Sequence, residues 1–395
     1  MAGKRSMDDL NVMGKRVFMR VDFNVPIKNG QVADDKRIQA ALPSIRAVIE
    51  NNGKLILASH LGDPKNGPDP AFSLKPVAER LSELIDRPVI LAPDCIGESV
   101  GLLISKMQNG DVILLENLRF HPGEKKNDPA FAKALAEHVD VYINNAFGAC
   151  HRAHASIVGL PALIPESAAG HLIMKEVEYL DTAVRHPRRP FYALLGGAKV
   201  SGKLALIKNL LPKVDGILIG GAMSYTFMKA LGNEIGKSPV EYDLIETALE
   251  TLLLAEENDK LFLLPLDTVI APYPEPGVPH RIVEAGTIPS DMEGFDIGPK
   301  TIKLYSSYLE KAGTVIWNGP MGMFEIPEFS TGTFTLARVL AASGAISIVG
   351  GGDSASAMRK AGVTDQMTHV STGGGASLEY LEGKELPGIA ALPNA

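Results

Sequence analysis

Cysteine is almost absent from the 395-residue chain: Cys95 and Cys150 are the only two, and neither sits in a C-x-x-C pattern. That spacing supports neither a disulfide framework nor a zinc knuckle, so both thiols are expected to be reduced. Aromatic residues make up only 6% of the chain, which leaves little material for stacking nucleic-acid bases. A positive balance is missing as well. With a formal net charge of −7 the chain lacks the excess of Lys and Arg that sequence-independent binding to nucleic acid requires. Any phosphate partner is therefore expected to be small and locally held. No apolar run of about 18 residues occurs, and the basic start MAGKRSMDDLNVMGKRV lacks the apolar stretch of an export signal. The expectation is a cytoplasmic protein with neither a membrane nor a nucleic-acid partner.

What is present is an ordinary globular composition, 45% hydrophobic and 22% charged, in a chain longer than one core usually serves. Two domains are expected. Short β-rich apolar runs recur between longer stretches with helical spacing, the pattern of repeated βαβ units and a mostly parallel sheet. Strands are predicted near 16–23, 55–59, 89–92, 112–116 and 141–144. A second set follows near 191–195, 216–219, 261–264, 314–317, 346–349 and 368–371. Between the sets, Ile173, Val177, Leu180 and Val184 fall at helical offsets before His186-Pro187-Arg188-Arg189-Pro190, where two prolines stop a helix. The predicted fold is α/β: two doubly wound, Rossmann-like domains joined by a hinge helix. Their expected bounds are 1–170 and 191–380, with the linker at 171–190. The tail, 381–395, reads as an extended strap returning toward the first domain.

In open α/β sheets ligands gather at the carboxyl ends of strands, so the loops after each run are the ones to read. All adjacent glycines lie in the second half: Gly196-Gly197, Gly220-Gly221, Gly350-Gly351-Gly352 and Gly373-Gly374-Gly375. Glycine lets backbone N–H groups and a helix start approach phosphate closely, so this set reads as a nucleotide cradle. Residues 197–203 nearly spell a P-loop, but Leu204 stands where Ser or Thr must reach magnesium. Gly350-x-Gly352-x-x-Ala355 fits a dinucleotide fingerprint, yet the next strand ends in Ser371-Thr372-Gly373 without an acid for ribose, which weakens a dehydrogenase reading. Lys199 and Lys203 remain, either facing phosphate oxygens or solvated. Asp353-Ser354 holds the metal of a metal-nucleotide or caps a helix.

The first half has no glycine cradle but carries cations at loop positions: Arg37, His60, Arg119, His121, His151, Arg152 and His154. Converging arginines suit a small, multiply charged anion. His151-x-x-His154 lacks a third ligand at metal-binding spacing. Asp22 and Asn24 either bind a substrate hydroxyl or form an Asx-turn.

Taken in order, Val21-Asp22-Phe23-Asn24-Val25-Pro26, Ser59-His60-Leu61-Gly62, Leu115-Glu116-Asn117-Leu118-Arg119-Phe120, His151-Arg152-Ala153-His154-Ala155-Ser156, Gly196-Gly197-Ala198-Lys199-Val200, Trp317-Asn318-Gly319-Pro320, Gly350-Gly351-Gly352-Asp353 and Ser371-Thr372-Gly373-Gly374-Gly375 resemble the phosphoglycerate kinase family over nearly the whole chain. The resemblance implies a monomeric phosphotransferase that moves a phosphoryl group reversibly from 1,3-bisphosphoglycerate to ADP with Mg²⁺, giving 3-phosphoglycerate and ATP. It implies substrate contacts from Asp22, Phe23, Asn24, Arg37, His60, Leu61, Gly62, Asp63, Arg119 and Arg152. The nucleotide falls to Lys203, Gly220, Gly221, Asn318, Glu325, Gly351, Gly352, Asp353 and Ser354, with Asp353 reaching Mg²⁺ through the nucleotide. Arg37, Lys199 and Gly374 are left at the transferring group. Both substrates would meet by closure of a hinge.

Three positions depart from the family pattern: Asp63 where Arg normally follows Ser-His-Leu-Gly, Asn145 where Asp usually precedes Ala-Phe-Gly, and Gly202 where Asp is common. Asp63 replaces a phosphate-site cation by an anion and is expected to raise the Michaelis constant for 3-phosphoglycerate. The competing reading is a weakened homologue that binds nucleotide or protein without turnover.

Overall fold

The computed structural model describes residues 3–65 and 67–395. Contacts divide the chain into two units, one formed by residues up to Glu178 together with Glu385–Ala395, the other by Tyr179–Lys384. The chain passes from one to the other inside helix His171–Arg185.

The first unit is built on strand Arg16–Arg20, whose Val17, Phe18 and Met19 are buried on both faces, as an interior parallel strand demands. It pairs in parallel with Lys54–Ala58 on one side and Val141–Asn144 on the other. The sheet has six strands in the order 89–91, 112–114, 54–58, 16–20, 141–144, 167–169. Helices such as Lys36–Glu50 and Lys75–Ile85 bury Ile38, Ile45, Val48, Val77 and Leu81 against it.

The second unit repeats the design with Phe191–Leu195 at its centre, beside Gly216–Ile219 and Thr314–Asn318. Its six parallel strands run 261–263, 216–219, 191–195, 314–318, 346–350, 369–370. Numbered along the chain that is 3-2-1-4-5-6, the dinucleotide-fold order, so the topological switch point lies between Phe191–Leu195 and Thr314–Asn318. The indole of Trp317, fully buried, anchors the core there and donates its N–H to the Gly319 carbonyl at 2.7 Å.

The fold class is as expected, with local differences. The first strand ends at Arg20 and not at 23, so residues 21–26 are already loop. Ser167–Ala169 forms an edge strand that the sequence does not signal, since Ser-Ala-Ala has no β-branched residue. An antiparallel layer of Asp267–Ala271, Arg281–Glu284 and Glu293–Ile297 also went unforeseen. The tail is not simply extended: Pro387–Ala390 is a short helix, and Leu386, Ile389 and Leu392 are buried within the first unit. Gly388 sits so close to Cys150 that a β-carbon there would lie 2.9 Å from its Cα. No helix among the described residues is long and apolar enough to cross a membrane.

Candidate functional site

The first unit gathers its cations at the carboxyl ends of its central strands. Arg20, the last residue of strand Arg16–Arg20, is fully buried; its Nε donates to Ser156 Oγ at 2.8 Å. One of its terminal nitrogens lies 3.2 Å from His60 Nδ1. A guanidinium only donates, so Nδ1 is the acceptor and the His60 proton resides on Nε2. Burial, with Arg20, Arg119 and Arg37 nearby, pushes His60 well below the usual histidine range. His60 is therefore a neutral hydrogen-bond donor. Glu124, also fully buried, holds the other side of this network by accepting from Ser156 N at 2.9 Å and Ser156 Oγ at 2.6 Å. His154, 3.8 Å from Glu124, is driven down to about 4 by burial and by Arg20, and is neutral too.

Arg119 follows strand Val112–Leu114 and is fixed by Asn117, whose Oδ1 accepts from Arg119 N at 3.0 Å and from Leu61 N at 3.2 Å. Its Nη1 donates to the Gly62 carbonyl at 2.6 Å, while its Nε is buried without a protein partner. A buried, unpaired guanidinium N–H is costly unless a ligand completes it. Arg37 donates to Asp22 Oδ1 at 3.1 Å and to the Asn24 carbonyl at 3.1 Å. Asp22 also accepts from Asn24 N at 3.2 Å, the Asx-turn geometry, and Asn24 Oδ1 accepts from Gly62 N at 2.9 Å. The side chains of Phe23 and Leu61 are buried in the core, so these positions offer backbone to the loop. Arg152 is exposed, and its charge reaches Arg119. His121 lies apart from this group, its Nε2 paired with Asp94 at 2.5 Å.

Asp63 is occupied. Its carboxylate accepts from Lys65 and Lys125, each at 2.8 Å, and lies 4.0 Å from Arg119. The two lysines hold it far below the ordinary carboxylate range. The anion in the loop is thus matched by two cations, one of them 62 residues away in sequence. Exposed ion pairs contribute about 1 kcal/mol or less. On the activity that the family resemblance implies, Asp63→Ala is expected to lower the Michaelis constant for 3-phosphoglycerate by less than about fivefold, with kcat unchanged. Steady-state kinetics giving a tenfold change, or a change in kcat, would remove this account of Asp63.

In the second unit three loops close on one another at the switch point. Gly196 N donates to the Asn318 carbonyl at 3.0 Å and Gly197 N to the Pro320 carbonyl at 2.9 Å. The approach leaves no room for side chains: a β-carbon on Gly319, at φ +91°, would lie 2.2 Å from the Gly196 carbonyl oxygen. Gly220 packs against Met321 in the same way. Beside these loops opens a cavity of about 300 Å³ lined by Gly197, Gly221, Pro320, Met321, Glu325 and Asp353 among others. Its wall includes Asp296, which accepts from Gly332 N at 2.7 Å and is pushed up to about 8 by burial. Burial thus favours the neutral form of Asp296, against the two backbone N–H groups of Gly332 and Ile297 that favour the anion.

Helix Gly352–Ala361 starts at this cavity with Gly351 at φ +93° before it and Asp353 exposed in its first turn. Ser354 Oγ accepts from Gly319 N at 2.7 Å, and Asn318 Nδ2 donates to the Gly350 carbonyl at 3.0 Å, so both side chains brace the loops. Lys199 is exposed on the loop 196–203. Lys203 is half-buried at the start of helix Leu204–Leu210, and burial draws its ammonium down to about 8 against the pull of Asp353 and Glu382. Gly374, at φ +52°, precedes helix Gly375–Leu381. The sequence reading overlooked Arg20, Glu124, Lys125 and Asp296. Arg20 carried a signal, as a charge at the end of an apolar strand.

A loop cluster with neutral histidine and an arginine Nε lacking a protein partner in one α/β unit, and a glycine-lined cavity at the switch point of the other, suit a phosphotransferase. The family model for phosphoglycerate kinase matches residues 7–384, and the chain belongs to that family. The phosphoglycerate kinase of Chlorobaculum tepidum is 54% identical over 393 residues, covering 98% of this chain and 99% of that protein. Among solved structures, that of phosphoglycerate kinase from Coxiella burnetii has a TM-score of 0.89 at 42% identity, with 98% of both chains covered. That from Pyrococcus horikoshii has a TM-score of 0.86 at 34% identity over the same shares. The activity is that of a nucleotide-using kinase with a carboxyl group as acceptor.

Proposed function

We propose that the first unit holds 3-phosphoglycerate or 1,3-bisphosphoglycerate and the second holds ADP or ATP, with the residues above in separate roles. The observation that carries this reading is the buried, unpartnered Nε of Arg119 beside a neutral, donor His60. Together with Arg152 they suit the terminal phosphate of the glycerate, which supplies the acceptor that Arg119 lacks. Asp22 and Asn24 then face the hydroxyl and carboxyl end, alongside the backbone of residues 61–63.

Arg37, steadied by Asp22, and Lys199, whose side chain is exposed on the loop 196–203, are assigned to the transferring phosphoryl group. In the direction of acyl phosphate synthesis a carboxylate oxygen attacks the γ-phosphorus and ADP leaves. The nucleophile carries no proton, so no general base is needed, and charge stabilisation with in-line alignment does the rest. Because the two ligands belong to different units, transfer requires them to be brought together and water to be excluded.

Mg²⁺ supplies charge neutralisation on nucleotide phosphates. The exposed carboxylate of Asp353, at the helix start beside the cavity, fits a cation that takes one or two carboxylates and shares the phosphates. Lys203 and the N–H groups of 351–354 are assigned to the phosphates, Gly374 to the transferring group, and Glu325 to the ribose. We further propose that the protein works as a cytoplasmic monomer.

Lys203 gives this reading a pH signature. Phosphate favours the charged ammonium, so binding raises its pKa above the free value of about 8. Affinity for Mg-ADP is then full below that value and falls as pH rises through it, by up to about tenfold per unit until the bound pKa is reached. Calorimetry between about pH 7 and 9 measures this, and Lys203→Arg should flatten the dependence. The function as a whole is tested by a coupled assay with ATP, Mg²⁺ and 3-phosphoglycerate; absence of turnover at saturating substrate would reject it.

A further inference from the structure

Outside the cationic loops, the first unit brings together three groups that its sequence keeps apart. Asp94 and Cys95 lie in the loop after strand Val89–Leu91, and His121 lies at the start of helix Pro122–Lys125, after strand Val112–Leu114. These strands are neighbours in the sheet, so their following loops meet. One carboxylate oxygen, the Cys95 sulfur and a His121 ring nitrogen all lie within 4.8 Å of one another. From these atoms we propose a binding site for a borderline divalent transition metal of the zinc class, with Asp94, Cys95 and His121 as ligands and water in the remaining position.

The donor set decides the class of ion. Thiolate and imidazole are poor ligands for Mg²⁺ and Ca²⁺, whereas one sulfur, one nitrogen and one oxygen suit Zn²⁺ or Co²⁺. Each ligand is already held by a neighbour, and the Cys95 sulfur must release the Glu116 carbonyl to reach an ion. The His121 ring stacks on Phe131 with centroids 5.0 Å apart, and Cys95 N donates to Asp94 Oδ1 at 2.6 Å. The sulfur is turned toward the Glu116 carbonyl, 2.9 Å away. Asp94 and His121 are partly exposed, which gives an ion a path in, while Cys95 closes the inner side.

Metal–ligand bonds of about 2.0–2.3 Å in a tetrahedron put ligand atoms about 3.3–3.7 Å apart. The Asp94–His121 pair, now at 2.5 Å, must open by about 1 Å, a rotamer adjustment on the exposed side. On binding, the sulfur–hydrogen bond breaks, a sulfur–metal bond forms and the proton passes to solvent. The thiol donates its proton to the Glu116 carbonyl in the free protein, so one proton leaves per ion bound.

The test uses the full chain, stripped with a chelator, kept reduced by a phosphine and titrated with Co²⁺ without nucleotide. One ion per chain is expected, with a thiolate-to-cobalt charge-transfer band, the visible spectrum of a four-coordinate ion, and displacement by Zn²⁺. Cys95→Ser should abolish the charge-transfer band. Asp94→Asn and His121→Gln alter partly exposed positions and so decide the matter if the cysteine variant fails to fold; each should weaken Zn²⁺ binding at least about tenfold. No charge-transfer band in the wild-type chain, or a band and affinity unchanged in either of these two variants, would overturn the site.

Discussion

Replacing Lys199 by alanine is expected to lower kcat by about two to three orders of magnitude while leaving the Michaelis constants for both substrates within a few-fold. Lys199 is exposed on the loop 196–203, so its loss removes a charge without opening a cavity, and thermal stability should be unchanged. An interaction made with the group in flight lowers turnover, whereas one made equally with bound substrate raises the Michaelis constant. Near-normal turnover in Lys199→Ala would end the role assigned to it. A matched fall in Tm would point to the loop and not to the chemistry.

Arg119→Ala is expected to act on the other parameter. Arg119 is a side chain only 10% exposed, tied at one terminal nitrogen to Gly62 and carrying the unpaired Nε. Removing such a buried charged donor from a phosphate costs about 2–5 kcal/mol, so the Michaelis constant for 3-phosphoglycerate should rise about thirtyfold or more. Turnover at saturation should stay within a few-fold. Arg119→Lys should recover little, since a point charge cannot reproduce the planar fork. Mg-ADP affinity, read by calorimetry on the same variant, serves as the check that the protein is folded. A Michaelis constant within threefold of the wild type would show that the anion is held elsewhere.

Most of the sheet strands were legible because a strand buried on both faces must be a run of apolar residues, as Phe191–Leu195 and Thr314–Asn318 are. The glycines after them were legible as well, since loops that touch at Gly196 and Gly319 exclude a β-carbon. Ser167–Ala169 was not, because an edge strand of small residues draws its identity from its partner Tyr142–Asn144 and not from its own propensity. The antiparallel layer around Asp267–Ala271 hid for a related reason: its partner Arg281–Glu284 is polar and exposed.

The site divides along the same line. Loop cations were visible as residue types, but what they are tied to was not. Asp63 read alone looks like an anion in a phosphate loop; its neutralisation depends on Lys125, which only the fold brings near. Arg20 is visible in Arg-Val-Phe-Met-Arg as a charge ending an apolar strand, but its partners Ser156 and His60, and with them the His60 tautomer, come from residues distant in sequence. Cys95 and His121 were separately unremarkable, and became a cluster through the pairing of two short strands. Pairings distant in sequence carry no local signature.

The central claim is the division of ligands between the two units, and titration calorimetry on two variants tests it most directly. Arg119→Ala should lose most of its affinity for 3-phosphoglycerate and keep that for Mg-ADP. Asp353→Asn should do the reverse. Loss of both affinities in either folded variant, or of neither in both, would contradict the account.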